Sequence, residues 1–326
     1  GIYGSIFMAS GMSNVYGVMV TDEVYAALQQ KILGTTNIMI NNSVVQSKVI
    51  GHNFFQDSVS ELIDSGAIGK TTITLNNTSV ERSLRGIDYG CMDIVSGVNF
   101  GDIELNINNS YVREGVVAAG ANASAGNVVI NVRGNSVIGY TDSTATTPYL
   151  DEGGWIIAGG NQNGATIAST IVNLDTVGID NTINIGGDVY PGARYRDENP
   201  SGIVAGNATL NMAGGGTINI GNNIHAYNVN GRSKLNIVNV TANVGGDIIG
   251  SDEITIGANG ILNANTLVLS SDDTVNIVLQ DQNNYGKIVL NNLDANGAQL
   301  NIILGSTGEY DFLTTTNVNS NFIWNL

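Results

Sequence analysis

The chain has 326 residues, of which 12 are Lys or Arg and 28 are Asp or Glu, so its formal net charge is −16. Such an acidic surface repels phosphate backbones and anionic lipid heads, which argues against nucleic-acid binding. A hydrophobic content of 42% excludes a disordered chain, and no run of about 18 apolar residues predicts membrane insertion. The single cysteine, Cys91, excludes an internal disulfide and a thiolate metal site.

The first predicted element is a short amphipathic helix over residues 21–32. Thr21 can cap its N-terminus, and Gly34 can end it. A second helix candidate spans residues 55–63 and contains the spacing of a capping box. We therefore expect residues 1–33 to form a capping segment that covers unpaired strand edges of the following fold. A helix that binds a partner is the alternative interpretation.

From residue 34 onward, short strand motifs recur along the chain. Each copy alternates apolar and polar residues and then reads Asn-Asn-Ser/Thr, with a valine close behind. The copies lie at residues 38–45, 73–80, 105–112 and, in a looser form, 130–137. The period of two within each copy predicts β-strands, and self-similarity at this spacing predicts stacked repeats.

Two further motifs repeat in the middle of the chain. A Thr-Ile-Asn-Ile motif begins at Thr182 and returns at Thr217, and a related copy begins at Thr241. A shorter Val/Ile-Ala-Gly motif occurs at residues 116–120, 156–160 and 203–206. The spacing between copies varies, which indicates conserved strands joined by linking segments of different length.

These repeats predict a right-handed parallel β-helix over residues 34–326. Inward aliphatic side chains of such a fold stack about 4.8 Å apart along its axis. We therefore expect Ile185, Ile220 and Val244 to form one continuous column. Gly and Asn should occupy the corners, where tight turns are needed, and Asn amides should form ladders between rungs.

Two segments, residues 141–154 and 190–201, are predicted to protrude as loops, and all three prolines lie in them. The second segment concentrates Arg and Tyr, which are favoured at interfaces. Because loops on rigid scaffolds often carry binding, we interpret it as a candidate interaction loop, with a solvated loop as the alternative. The candidate residues are Tyr190, Arg194, Tyr195, Arg196, Asp197 and Glu198.

The sequence offers few groups for catalysis. Its two histidines, His52 and His225, adjoin predicted strands and are interpreted as structural. Hydrolysis of a glycosidic bond usually needs two carboxylates across a groove. Asp188 and Asp247 occupy equivalent repeat positions and are interpreted first as turn residues, with a Ca²⁺ site formed by the two as the alternative. No other cofactor is predicted.

The motif at Thr182 and the Ile-Val-Ala-Gly motif at 203–206 resemble the passenger repeats of autotransporter adhesins. Residues 297–305, 308–313 and 321–323 look like the region where such passengers near their end. The resemblance spans most of the chain from residue 34 and implies export, display on a bacterial cell surface, and adhesion or assembly. It also implies a C-terminal outer-membrane barrel that this chain lacks, so the chain is expected to be a cleaved, released or differently anchored passenger.

Three functional hypotheses follow. The favoured one is a non-catalytic, secreted or cell-surface β-solenoid that serves adhesion or self-assembles into a surface layer or fibre. Its expected partners are further copies of the chain, or host or cell-surface glycans and proteins. The alternatives are a polysaccharide-degrading β-helix enzyme, either a lyase or a glycoside hydrolase, and a passive stalk of a larger surface protein.

Overall fold

The computed structural model describes residues 6–7, 11–21, 24–28, 35–53, 69–87, 100–120, 124–139, 153–160, 165–196, 199–200, 202–228 and 230–325. Within these ranges the structure is all β, and its strands stack in parallel as a β-solenoid. The expectation of a parallel β-helix is therefore confirmed.

The first strands in chain order are β1 (Ile6–Phe7), β2 (Gly11–Tyr16), β3 (Met19–Val20), β4 (Val24–Leu28), β5 (Thr36–Asn41), β6 (Val44–Val45), β7 (Val49–Asn53), β8 (Thr71–Asn76), β9 (Ser79–Val80), β10 (Ser83–Ile87), β11 (Ile103–Asn108) and β12 (Tyr111–Val112). Next come β13 (Gly115–Ala119), β14 (Ala125–Arg133), β15 (Val137–Ile138), β16 (Trp155–Gly160), β17 (Ala165–Asp175), β18 (Thr182–Ile185), β19 (Val189–Tyr190), β20 (Tyr195–Arg196), β21 (Asn199–Pro200), β22 (Gly202–Val204), β23 (Ala208–Ala213) and β24 (Thr217–Ile220). The last are β25 (Ile224–His225), β26 (Ser233–Ile237), β27 (Val240–Ile249), β28 (Glu253–Ile256), β29 (Gly260–Val268), β30 (Thr274–Asp281), β31 (Asn284–Tyr285), β32 (Lys287–Asp294), β33 (Gln299–Leu304), β34 (Leu313–Ser320) and β35 (Ile323–Asn325).

These strands form two long sheets that face each other across the core. Sheet B has 14 strands, and its main path runs β2, β5, β8, β11, β14, β17, β23, β26, β28, β30, β33 and β35. Sheet A has 19 strands, because most rungs contribute two short strands with a bend between them. We call one sheet-B strand, together with the sheet-A strands that follow it, a rung. At about 4.8 Å per strand, the stack is roughly 50 Å long.

Inward-facing side chains form continuous aliphatic columns. Ile185 pairs in register with Ile220, which pairs with Val244, and all three are buried. This column is the predicted one, so the prediction is confirmed. A longer column in sheet A runs in register through Val24, Val49, Leu84, Val116, Ile156, Val189, Ile224, Ile248, Leu267 and Leu293.

The Asn-Asn-Ser/Thr motif builds the corner between sheet B and sheet A, and each position has its own task. The first Asn ends the strand, and its amide joins the neighbouring rung, as Asn76 Nδ2 donates to Asn41 Oδ1 at 2.8 Å. The second Asn adopts a left-handed backbone, with φ of 47° at Asn77. The third residue, Ser or Thr, has a buried side chain whose hydroxyl contacts the neighbouring rung. Ser110 Oγ, for example, accepts the backbone N–H of Thr78 at 3.0 Å.

Asparagine ladders run along the outer faces of both sheets, as the sequence predicts. In sheet B each amide nitrogen donates to the carbonyl oxygen of the previous rung, at distances of 2.7, 2.8, 2.9 and 2.8 Å for Asn131, Asn173, Asn211 and Asn236, beginning from Asn106. Sheet A has a shorter ladder through Asn184, Asn219, Asn243 and Asn263. The ladders hold register although 20 to 42 residues separate successive members.

The prediction of a helix at residues 21–32 is wrong for the part of that range that the structure describes. Val24–Leu28 is strand β4, which pairs with Val49–Asn53, and Gly11–Tyr16 already lies in sheet B. The described part of residues 1–33 is therefore solenoid, not a separate helical cap. Parallel pairing outweighs the modest helix propensity of Val-Tyr-Ala-Ala-Leu. The second helix candidate, residues 55–63, lies outside the described residues.

Two further sequence expectations need correction. Val116 and Val117 pair in register with Ile156 and Ile157, but the register then shifts, so that Ala119 pairs with Gly160. Ile203 pairs with Thr166 in sheet B, so the third copy of that motif has a different position. The predicted loop 190–201 begins later than expected, because Tyr190 ends a sheet-A strand and Pro191 to Arg194 are buried. A two-stranded antiparallel hairpin of β20 and β21 follows. Most of the other predicted loop, residues 141–154, lies outside the described residues.

Candidate functional site

Asp188, Tyr190 and His225 meet on the outer face of sheet A. They lie there because Val189 and Ile224 point inward, and residues on either side of an inward residue point outward. The Tyr190 and His225 rings stack with centroids 4.9 Å apart. Tyr190 donates its hydroxyl to Asp188 Oδ2 at 3.3 Å, and His225 Nε2 lies 3.8 Å from Asp188 Oδ1.

The electrostatics of this cluster favour a neutral imidazole. Burial lowers the pKa of His225, and the nearby carboxylates of Asp188 and Asp247 oppose that change only in part. Burial raises the pKa of Tyr190, and the charge of Asp188 adds to the increase. The cluster therefore consists of a neutral histidine, a neutral tyrosine and one carboxylate whose oxygens already accept hydrogen bonds.

Asp188 and Asp247 do not form a direct pair. Asn223 lies between them, so that Asp188 Oδ1 accepts the Asn223 backbone N–H at 2.9 Å and Asn223 Oδ1 accepts that of Asp247 at 2.8 Å. Asp247 Oδ1 in turn accepts the amide of Asn265 at 2.9 Å. The two carboxylates are thus two rungs apart, roughly 10 Å. This arrangement is the structural turn role that the sequence suggests first.

Asp188 and Asp247 are each hydrogen-bonded to a neighbouring rung. Among the described residues, no three His, Cys, Asp or Glu side chains are grouped so as to hold a metal ion. Ca²⁺ takes 6–8 oxygen ligands at short distance, whereas here Asp188 Oδ1 accepts the backbone N–H of Asn223 and Asp247 Oδ1 accepts the side-chain amide of Asn265.

The proposed interaction loop begins with buried residues. Tyr190 is 6% exposed and Arg194 is 7% exposed, and the Arg194 guanidinium lies 3.9 Å from the centroid of the Trp155 ring. Tyr195 and Arg196 lie in the hairpin strand β20, but Asp197 and Glu198 are outside the described residues. Tyr190 and Arg194 therefore anchor the base of the hairpin to the solenoid.

Sequence reasoning missed Trp155, which covers a small apolar cluster of Val117, Ile157 and Tyr190 on the outside of sheet A. The sequence does contain a signal for this cluster. When residues 155–157 are aligned with residues 188–190, Trp155 takes the position that Asp188 has in the next rung. An aromatic residue at an outward position beside two aliphatic ones indicates an external cluster.

The last described strands, β33, β34 and β35, form the C-terminal edge of the solenoid and expose several large apolar side chains. Its exposed side chains include Ile303, Leu304, Val318, Ile323 and Trp324, each between 51% and 59% exposed. A cavity of about 290 Å³ opens there between Leu293, Phe312, Val318 and Trp324. Val318 sits in register on Leu293 and Trp324 on Leu300, so both belong to inward-facing columns.

The described residues thus form a parallel β-solenoid of two sheets, each of which carries a ladder of hydrogen-bonded asparagine side chains. Comparison with protein-family models, with curated proteins and with solved structures gives no match for this chain. In the described part of the chain, no helix is long and apolar enough to cross a membrane.

Proposed function

We propose that this protein is a non-catalytic, extracellular β-solenoid of a bacterial surface, resembling an adhesin passenger, whose copies associate end to end into a fibre or layer. The observation that carries this proposal is the exposed C-terminal edge. Apolar side chains that are exposed beside stacked parallel strands favour the addition of a further strand.

Each end of the described stack presents one strand of sheet A and one strand of sheet B, so the two ends can fit together. At one end sheet A begins with β1, where Ile6 pairs with Val24, and sheet B begins with β2. At the other end sheet A finishes with β34 and sheet B with β35. A second copy can therefore place its β1 on β34 and its β2 on β35 at once, with all strands parallel.

This contact continues the columns of each molecule into the next. Ile6 of the second copy would follow Val318 in the strand register of sheet A. In sheet B, Asn14 would follow Asn325 in the same strand register. A head-to-tail contact of this kind joins two different surfaces, so repetition gives an open filament and not a closed dimer.

The absence of catalytic function is part of the proposal and has indirect support. In the described residues Asp188 and Asp247 are separated by Asn223, so they do not flank a groove as glycosidase carboxylates do. We expect the purified chain to release no reducing ends from neutral or acidic polysaccharides, with or without Ca²⁺. Release by the chain, lost on neutralising either aspartate, would support the polysaccharide-degrading alternative instead.

End-to-end association is tested by light scattering and electron microscopy of the 326-residue chain. Val318→Lys places a charge on the C-terminal edge, and we expect it to shorten or abolish the fibres. Ile179→Lys is the matched control, because Ile179 is 80% exposed on a turn away from the edge and receives the same charge. Equal assembly by both variants, or strictly monomeric native protein at high concentration, would contradict the proposal.

The register of the contact is tested by cross-linking. In a Cys91→Ala background, Ile6→Cys combined with Val318→Cys should give disulfide-linked multimers on oxidation, since paired positions on adjacent strands lie within disulfide reach. Ile6→Cys combined with Ile179→Cys should give none. Fibres without the specific cross-link would disprove the register and leave end-to-end association standing.

A further inference from the structure

A groove of about 480 Å³ lies on the outer face of sheet B, away from both ends of the stack. Its floor is the amide ladder, with Thr74, Asn106, Asn131, Asn173 and Asn211 at successive rungs. One side carries the ion pair between Arg133 and Asp175, whose nearest atoms are 3.3 Å apart. The next rung places the small residue Ala213 beside Asp175, which leaves that side open.

The floor of this groove presents unused hydrogen-bonding capacity. A primary amide has two N–H donors and an oxygen with two lone pairs, and the ladder uses one donor and one lone pair of Asn131 and Asn173. The remaining donor and lone pair of each amide are available on the outer side, where these residues are partly exposed. The groove therefore offers alternating donors and acceptors about every 4.8 Å along the axis.

The chemistry of the groove selects one class of ligand. The floor is uncharged, and the chain carries a net charge of −16, so polyanions are repelled. The floor is polar at every rung, so apolar ligands would leave amides unsatisfied. Sugar hydroxyl groups both donate and accept, and an extended polysaccharide repeats them along its length. Weak contacts at each rung can add up along such a polymer.

We propose that this groove binds an uncharged polysaccharide, which lies along the solenoid axis with its hydroxyl groups on the amides of Asn131, Asn173 and Asn211. The inference goes beyond end-to-end association, because the groove is lateral and uses none of the edge residues. It supplies a chemical basis for adhesion to a neutral glycan surface.

Affinity gel electrophoresis of the native chain tests this inference, with galactomannan and mixed-linkage β-glucan as neutral probes and polygalacturonate as the anionic probe. We expect retardation by at least one neutral polymer and none by polygalacturonate. Retardation by polygalacturonate alone, or by none of the three, would overturn the proposal. Running the Val318→Lys variant in parallel separates this result from fibre formation.

Two variants locate the binding. Asn131→Ala with Asn173→Ala should weaken binding about tenfold or more, whereas Asn219→Ala with Asn243→Ala removes equivalent amides from the sheet-A ladder and should leave binding unchanged. Ala213→Trp fills the open side of the groove without touching the ladder, and it should also abolish binding. Unchanged binding in Ala213→Trp, or equal losses in the two double variants, would show that the ligand lies elsewhere.

Discussion

Asparagine fills the left-handed corner position that follows the sheet-B strand in three successive rungs. Asn42, Asn77 and Asn109 have φ of 48°, 47° and 46°, and Asn tolerates this conformation better than other residues with a Cβ. Val177 occupies a corner after β17 with φ of 58°, although it is β-branched. The motif could be predicted from the sequence because Asn recurs, but nothing in the sequence marks Val177 as a corner residue.

A reciprocal pair of substitutions tests the corner conformation. Val177→Asn should stabilise the protein by about 1 kcal/mol, because it relieves left-handed strain at a residue that is 58% exposed. Asn77→Val should destabilise it by a similar amount for the same reason. Thermal unfolding of the two variants is the measurement. A shift of both melting temperatures in one direction would be inconsistent with a backbone origin.

His225 should give the protein a pH-dependent stability above the range in which carboxylates titrate. Burial lowers its pKa below the ordinary value of 6.5, so between these values the unfolded chain binds more protons than the folded one. Stability therefore rises with pH in that window and falls on acidification through it. Urea unfolding at about pH 7.5 and at about pH 5.5 measures how much unfolding free energy is lost on acidification. We expect this loss of unfolding free energy to be smaller in His225→Gln. An equal loss in both proteins would assign it to other groups.

At the scale of strands, the sequence predicts the repeating elements well and the unique ones poorly. The copies at 38–45, 73–80 and 105–112 pair in register as expected, because the same alternation specifies the same face in each rung. Residues 21–32 carry cap residues and an amphipathic pattern that favour a helix, whereas Val24–Leu28 is a strand. Its pairing with β7 is a long-range contact that no local pattern reveals.

The candidate site shows a similar limit. Asp188 and Asp247 could be recognised as equivalent turn residues, but the intervening role of Asn223 depends on the order in which rungs stack. The burial of Arg194 against Trp155 was also not predictable, because 39 residues separate them and their proximity follows from the pairing of β16 with β19.

The aliphatic columns carry the packing of each strand, which a single deletion tests. Ile220→Ala removes the middle of the column between Ile185 and Val244, and we expect a loss of about 2–5 kcal/mol in unfolding free energy. Ile179→Ala, at an exposed position, should change stability by less than about 0.5 kcal/mol. Chemical unfolding followed by circular dichroism compares them. Similar small losses would mean that the column is not tightly packed.

At the scale of the whole molecule, the net charge of −16 opposes association between copies. Salt screens repulsion between exposed charges over about 10 Å at 0.1 M, whereas apolar contact and strand pairing persist. End-to-end association should therefore strengthen as salt rises from about 20 mM to about 300 mM. Sedimentation or light scattering across this range is the measurement. Dissociation at high salt would instead indicate that ion pairs hold the copies together.

The stacking of rungs also implies how the molecule would respond to tension. Each rung contacts its neighbours through parallel strands, and ladder mates such as Asn106 and Asn131 are 25 residues apart along the chain. A pull on the two termini would peel rungs from an end one after another. Each step would lengthen the tether by roughly 80 Å. Under shear, such a rod would therefore unfold one rung at a time. Rungs with longer linkers would give longer steps, for example the rung in which Asn131 and Asn173 are 42 positions apart.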